Sequence, residues 1–296
     1  MRCKFISVLS LTIMLSAMLV AVPGVNRAEA QLPPGMKPFE TTKIADGVYS
    51  FRFFFHRNMF IVTDDGVIAT DPMNPRAAKT MMAEIKKVTD KPVKYVVYSH
   101  EHWDHSAGGK VFKDAGARFI SHANCVDEFK NNPNPAVVMP DGTYKRRYDL
   151  KLGGRTLELH YFGRNHGNCL TVMRLPKEKI IFTVDIVTPK RIAFRNMPDF
   201  FPGDWVRTLR EIEQKLDFTR VIPGHGPPVV PAAAVREQRE YLEDLMAAVQ
   251  AARKSERSPD KIRKIVRLPK YEKWGGYKQW IEMNVERINF YYHMGK

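Results

Sequence analysis

Apolar positions along the chain follow two periods. Residues 48–55, 59–63 and 67–70 are runs of β-branched and aromatic residues, and Asp64-Asp65-Gly66 between the last two is a tight-turn signal. Asn74-Pro75 then reads as an N-cap followed by a first-turn proline, with Met81, Met82, Ile85 and Val88 at helical spacing before Pro92. The strand pattern returns at 94–99, 118–121, 156–162, 170–175, 180–184 and 219–222. Between these lie a short helical pattern near Val111 and Phe112 and a turn-rich surface loop at 131–142. A helix capped by Asp204 is predicted to carry Val206, Leu209, Ile212 and Leu216 on one face. Pro231 is read as opening a helix through Leu242, Leu245 and Val249. Ile281, Val285, Ile288 and Tyr292 mark another, beyond a basic connector at 255–264. No internal repeat is visible in the sequence.

The pattern matters because of what stands at the strand ends. The strand at 94–99 runs into His100-Glu101-His102-Trp103-Asp104-His105, three imidazoles and a carboxylate within six residues. His100 and His102 are two apart, so in extended backbone they point to one side and can chelate one ion. Asp104 and His105 fall where the chain turns and can face a second. Neutral imidazole and carboxylate are the donors expected of zinc and its neighbours.

The stretch resembles the H-x-H-x-D-H signature of the metallo-β-lactamase fold superfamily, and further family positions follow in order. His166 lies in a Gly-rich turn after a strand, Asp185 ends another, and His225 sits in Pro223-Gly224-His225-Gly226 after a third. The resemblance covers residues 44–228. It implies an α/β (α+β) fold, a four-layer αββα sandwich over 39–230, with 231–296 as a helical extension packed on it. It also implies two Zn2+ ions per chain, other divalent metals being possible. His100, His102 and His166 would hold the first, Asp104, His105 and His225 the second, and Asp185 would bridge them. Asp104 would double as the catalytic group that orients the nucleophile and shuttles its proton.

His102 stands where di-iron members of the superfamily carry an acidic residue, which favours zinc-dependent hydrolysis. Many lactamases of the family have a cysteine ligand near Asp185, and this chain has none. The ligand set is that of the glyoxalase II type. The function expected is hydrolysis of an ester, lactone, thioester or amide-like bond, with β-lactam hydrolysis and a non-enzymatic metal-bearing binding protein as alternatives. The substrate is expected to be a small molecule. Lys190, Arg191 and Arg195 in the loop 189–203 are candidate contacts for an anionic one. Phe51, Phe53, Phe54 and Phe55 read as core, although an early hairpin overhangs the metals in the family and some of these rings could line the cleft. His56, His122, His160 and His293 read as surface or satisfied core histidines.

Composition adds location. Arg2 and Lys4, an apolar run from Phe5 to Val22 and Ala28-Glu29-Ala30 form a secretory signal at residues 1–30, with cleavage expected after Ala30. The expected site is therefore periplasmic or secreted, with membrane contact only through the signal before cleavage. The net charge of +15 is read as a solvated basic surface, without a nucleic-acid partner. Cys125 and Cys169 follow the signal; an oxidising compartment permits a disulfide, and a metal-proximal Cys169 thiol is the other reading. Oligomeric state is left open.

Overall fold

The computed structural model describes residues 32–256 and 258–295, so the signal at 1–30 lies outside the described residues. One sheet takes seven strands in chain order: β1 (Phe39–Ala45), β2 (Val48–Phe53), β3 (His56–Val62), β4 (Val67–Thr70), β5 (Val93–Val97), β6 (Arg118–His122) and β7 (Gly142–Tyr144). Pairing is antiparallel from β1 to β4 and parallel from β4 to β7. The parallel steps need crossovers. These are α1 (Pro75–Val88), then α2 (Trp103–Ser106) with α3 (Lys110–Asp114), then α4 (Ala123–Asn131).

A second sheet has the order β13-β12-β11-β10-β9-β8, from β8 (Arg147–Leu152), β9 (Arg155–Tyr161), β10 (Thr171–Leu175), β11 (Ile180–Thr183), β12 (Arg220–Pro223) and β13 (Val230–Pro231). Its one parallel pair, β11 with β12, is crossed by α5 (Pro202–Lys215). The chain closes with α6 (Ala233–Ser255), α7 (Pro259–Ile265) and α8 (Tyr277–Met294).

Strand alternation sorts the apolar side chains into three layers, because successive residues point to opposite faces. Ile61, Ile68 and Val97 of the first sheet meet Leu157, Leu159, Ile180, Phe182 and Ile222 of the second between the sheets. Their neighbours Phe60, Val67, Ala69 and Val96 face outward onto Ala77, Ala78, Met81 and Ile85 of α1 and Phe112 of α3. On the other side Ile181, Val172 and Val221 face Val206, Leu209 and Ile212 of α5, Leu242 and Leu245 of α6, and Val285 and Ile288 of α8. Helix, sheet, sheet and helix follow from those three interfaces. The C-terminal helices share the third of them.

Several boundaries differ from the sequence reading. The strand read as 48–55 ends at Phe53, Phe54 takes a left-handed φ of 53°, and β3 starts at His56 instead of residue 59. Phe51 and Phe53 are core, whereas Phe55 is 42% exposed at the tip. Asp204 is not the cap of α5: the helix starts at Pro202, which the fixed proline φ suits, and Asp204 lies in its first turn. Pro231 pairs in β13, and α6 starts at Ala233. The connector 255–264 contains most of α7, whose cap is Ser258.

Candidate metal centre

The expected donors gather along one edge of the sandwich, four of them after strands and Asp104 and His105 within α2. His100 follows β5, His166 follows β9, Asp185 follows β11 and His225 follows β12. Asp185 and His225 are placed by register, because Thr183 pairs with Pro223 in the parallel β11–β12 pair. Among the described residues, His100, His102, His166 and Asp185 form one group and His56, His105 and His225 another, with Glu101, His102 and Asp199 grouped beside the first.

The spacings suit cations. Zn–N bonds of about 2.0–2.1 Å in tetrahedral geometry put neighbouring donors about 3.3 Å apart. Asp185 Oδ2 lies 3.3 Å from His100 Nε2 and 3.2 Å from His166 Nε2, while its Oδ1 lies 2.8 Å from His225 Nε2. His105 Nε2 stands 3.8 Å from Asp185 Oδ2 and 3.7 Å from Asp104 Oδ2. One carboxylate therefore faces both groups. His100 Nε2 and both ring nitrogens of His105 and His166 are buried without a hydrogen-bond partner. Such orphaned atoms are costly, and a bound cation would satisfy those that face it. The residues present thus fit a metal pair.

Neighbours hold several of these rings in orientation, as ligating imidazoles require. Ser99 Oγ contacts His100 Nδ1 at 2.8 Å, and the backbone oxygen of Phe55 accepts from His225 Nδ1 at 2.8 Å. Asp199 Oδ2 lies 3.0 Å from His102 Nε2, which leaves Nδ1 as the ring's other donor atom. Buried Asp71, directly after β4, accepts from Ser99 N with Oδ1 at 2.7 Å and places Oδ2 3.6 Å from His105 Nδ1. Phe200 stacks on His166 at 3.9 Å between centroids, backed by Trp205 at 4.3 Å.

Electrostatics are polarised across the two groups. Burial pushes His100 down to about 3 and lowers His166, so these rings are neutral and ready to donate lone pairs. Burial opposes charge on His105 too, but Asp185, Asp71 and Asp104 outweigh it and raise that ring to about 9. Burial disfavours an ionised Asp185, yet His105, His100, His166 and His225 hold it well below the usual carboxylate range.

Some residues fall elsewhere than expected. His56 lies against the centre and is hydrogen-bonded there: its Nε2 is 3.1 Å from Asp104 Oδ2, and its ring packs edge-on against His105 and His225. His122 and His160 are satisfied, by the Lys145 carbonyl and by Glu158. Cys125 and Cys169 form a disulfide, which removes the metal-proximal thiol. Two cations of the loop 189–203 turn to the C-terminal helices, Lys190 pairing with Glu237 at 2.7 Å and Arg191 lying over Trp280, while Arg195 lies over Phe194 of the same loop. Asp199, which the sequence alone does not single out, reaches the centre from that loop beside Phe200.

A model of the metallo-beta-lactamase superfamily matches residues 52–225, more than half of the chain. The chain belongs to that superfamily. Membership places this metallo-β-lactamase-fold protein among metal-dependent hydrolases. It is 26% identical over 185 residues to 2,4-dinitroanisole O-demethylase subunit alpha of Nocardioides sp., a match covering 62% of this chain and 54% of the relative. It is 24% identical to metallo-beta-lactamase type 2 of Bacillus cereus, covering 61% of this chain and 70% of that enzyme. The chain thus matches only about half the length of the demethylase subunit. A solved metallo-beta-lactamase from Pontibacter korlensis superposes with a TM-score of 0.63 at 21% identity, covering 69% of this superfamily member and 99% of that chain. The last likeness is one of fold.

Proposed function

We propose that this chain is an exported hydrolase that works with two zinc ions, held by His100, His102 and His166 on one side, Asp104, His105 and His225 on the other, and Asp185 between. The observation that carries the reading is Asp185, whose two oxygens face imidazoles of both groups. Such a pair supplies Lewis acidity that lowers the pKa of water towards neutrality and polarises the bond under attack.

The chain's own residues do the rest. Asp104 is half exposed at the rim and faces His56 and His105. From there it orients the attacking water, holds the proton released and passes it to the leaving group. Asp199 and Asp71 fix the rings of His102 and His105. Trp103 and Phe55, exposed beside Asp104 and His56, offer apolar surface to a substrate.

The bond cleaved is of ester, lactone, thioester or amide-like type in a small molecule, with no nucleic-acid partner. β-Lactam hydrolysis is a second reading, favoured by the Bacillus cereus relative. The name of the Nocardioides relative adds an aryl methyl ether to the candidates. The Cys125–Cys169 disulfide supports export, because such bonds persist in oxidising compartments.

The test is a turnover screen of metal-loaded and chelated protein on lactones, thioesters, aryl esters, aryl methyl ethers and β-lactams. Turnover that vanishes on chelation and returns with zinc is expected. A protein that holds its metals and turns over none of them would instead be a metal-bearing binding protein.

A further inference from the structure

We infer that His56, the first residue of β3 directly after the turn from β2, is a metal ligand, giving the second cation a third imidazole beside His105 and His225. The inference rests on the two-cation reading of the centre. It begins from donor positions. The ligand-type atoms of His56, His105 and His225 lie within 4.8 Å of one another. His56 Nε2 lies 3.1 Å from Asp104 Oδ2, close to the spacing of about 3.3 Å that two donors on one tetrahedral cation take. The His56 ring centroid is 5.0 Å from that of His225 and 5.4 Å from that of His105, as imidazoles converging on one point would be.

A ligand must also be held in place, and this turn is held on three sides. Arg57, the next residue, donates its backbone N–H to Gly224 O at 2.7 Å. Its guanidinium Nε and Nη2 both donate to Gly226 O, at 3.2 and 3.1 Å. Those two carbonyls flank His225. The ring of His225 in turn donates to Phe55 O at 2.8 Å, the carbonyl directly before His56. Phe54 N–H closes the other side on Pro38 O at 2.7 Å. Four hydrogen bonds thus tie the residues next to His56 to the loop that carries His225. Arg57 is 2% exposed, so this anchor is buried in the protein. The two imidazoles approach each other as one preorganised pair, not as a loop tip that happens to fall near a cluster.

The consequence is a centre with three imidazoles on each side. His100, His102 and His166 serve one cation and His56, His105 and His225 the other, with Asp185 facing both and Asp104 at the rim of the second. Without His56 the second cation has two imidazoles and would be the more weakly held; with it, that ranking is lost.

The experiment compares the parent with His56→Ala and His56→Gln in the full chain. Zinc affinity is measured for each step by competition with a chromophoric chelator, and the cobalt-loaded proteins are compared by visible absorption. Metal-free melting temperatures check the fold, and should agree because His56 is partly exposed at the start of its strand. Expected is an unchanged first affinity, a second affinity at least tenfold weaker in His56→Ala, and a changed cobalt spectrum. Gln can still donate a hydrogen bond to Asp104 but is a poor zinc donor, so it should behave like Ala. Restoration of the second affinity by Gln would show that His56 only positions Asp104, and would overturn the inference. So would a second affinity within twofold of the parent in both variants. A parent that takes up a single cation would overturn the two-cation reading itself, and this inference with it.

Discussion

Asp199 Oδ2 stands 3.0 Å from His102 Nε2, across 97 residues of sequence. Burial opposes ionisation of Asp199, but the hydrogen bond to His102 and the nearby His166 keep its carboxyl below the ordinary range. The carboxylate therefore fixes which ring nitrogen of His102 is left for a cation. Removing such an orienting partner typically costs 10–100-fold in metal affinity. Asp199→Ala should weaken the cation at His100, His102 and His166 by about that factor and spare the other. Stepwise zinc titration checks it; an unchanged first affinity would mean His102 needs no orienting partner.

Asp185 is the second test. Asp185→Asn keeps the shape and withdraws the charge that both groups share. Zinc stoichiometry should fall below two per chain, and turnover should drop by about 100-fold or more, in line with the electrostatic stabilisation lost. Circular dichroism should stay that of the parent. Parent-like stoichiometry by elemental analysis would contradict the bridging role.

A third concerns acid stability, away from the centre. Glu158 accepts from Arg174 at 2.9 Å, Arg147 at 3.0 Å and His160 at 3.1 Å. Burial opposes its ionisation, but these donors outweigh it and the carboxyl titrates below its ordinary value of 4.5. A depressed folded-state pKa stabilises above the unfolded value and ceases to do so as pH falls through the folded one. Glu158→Gln should therefore cost about 1–3 kcal/mol at neutral pH. The gap to the parent should close in acid below pH 4.5. Urea unfolding at several pH values reads the difference; a gap of constant size would exclude the linkage.

The disulfide gives the fourth. Cys125 and Cys169 join α4 to the segment before β10 across 44 residues. Closing a loop of that length is worth about 2–4 kcal/mol. The Cys125→Ser, Cys169→Ser double variant should lose that much stability in chemical denaturation. Both cysteines are buried beside Glu101, so a stability equal to the parent's would require the reduced segment to be fixed by its packing alone.

How much of this was legible in the sequence depends on where the determining contacts lie. His100, His102, Asp104 and His105 are neighbours in the chain, Asp185 and His225 follow short apolar strands, and His166 lies in a Gly-rich turn after an alternating one, so local pattern was enough to find them. β1 has no fully buried residue, and β8 only Leu150, so neither shows the alternation that marks a half-buried strand. α4 has only Cys125 and Phe129 buried and takes its cap from His122, a residue with no strong capping signal. His56, Asp71 and Asp199 act through hydrogen-bond partners 28 to 97 residues away, or through rings packed from other strands. One signal was available for Asp71: a carboxylate directly after a short strand of β-branched and small residues, Val67 to Thr70. For Asp199 and His56 no local signal separates them from ordinary polar residues.

The two sheets contribute to both groups of donors. His100 and His102 come from the first sheet's edge and meet His166 and Asp185 from the second's. His56 and His105 come from the first and meet His225 from the second. A metal pair there would be a clasp across the seam of the sandwich, fastened at one end of the layer that Ile61, Val97, Phe182 and Ile222 fill. Loading would then be felt as a change in how the halves breathe against each other. Amide exchange at the ends of β5 and β11 should slow on loading, while α1 and α6, on the outer faces, keep their own pace.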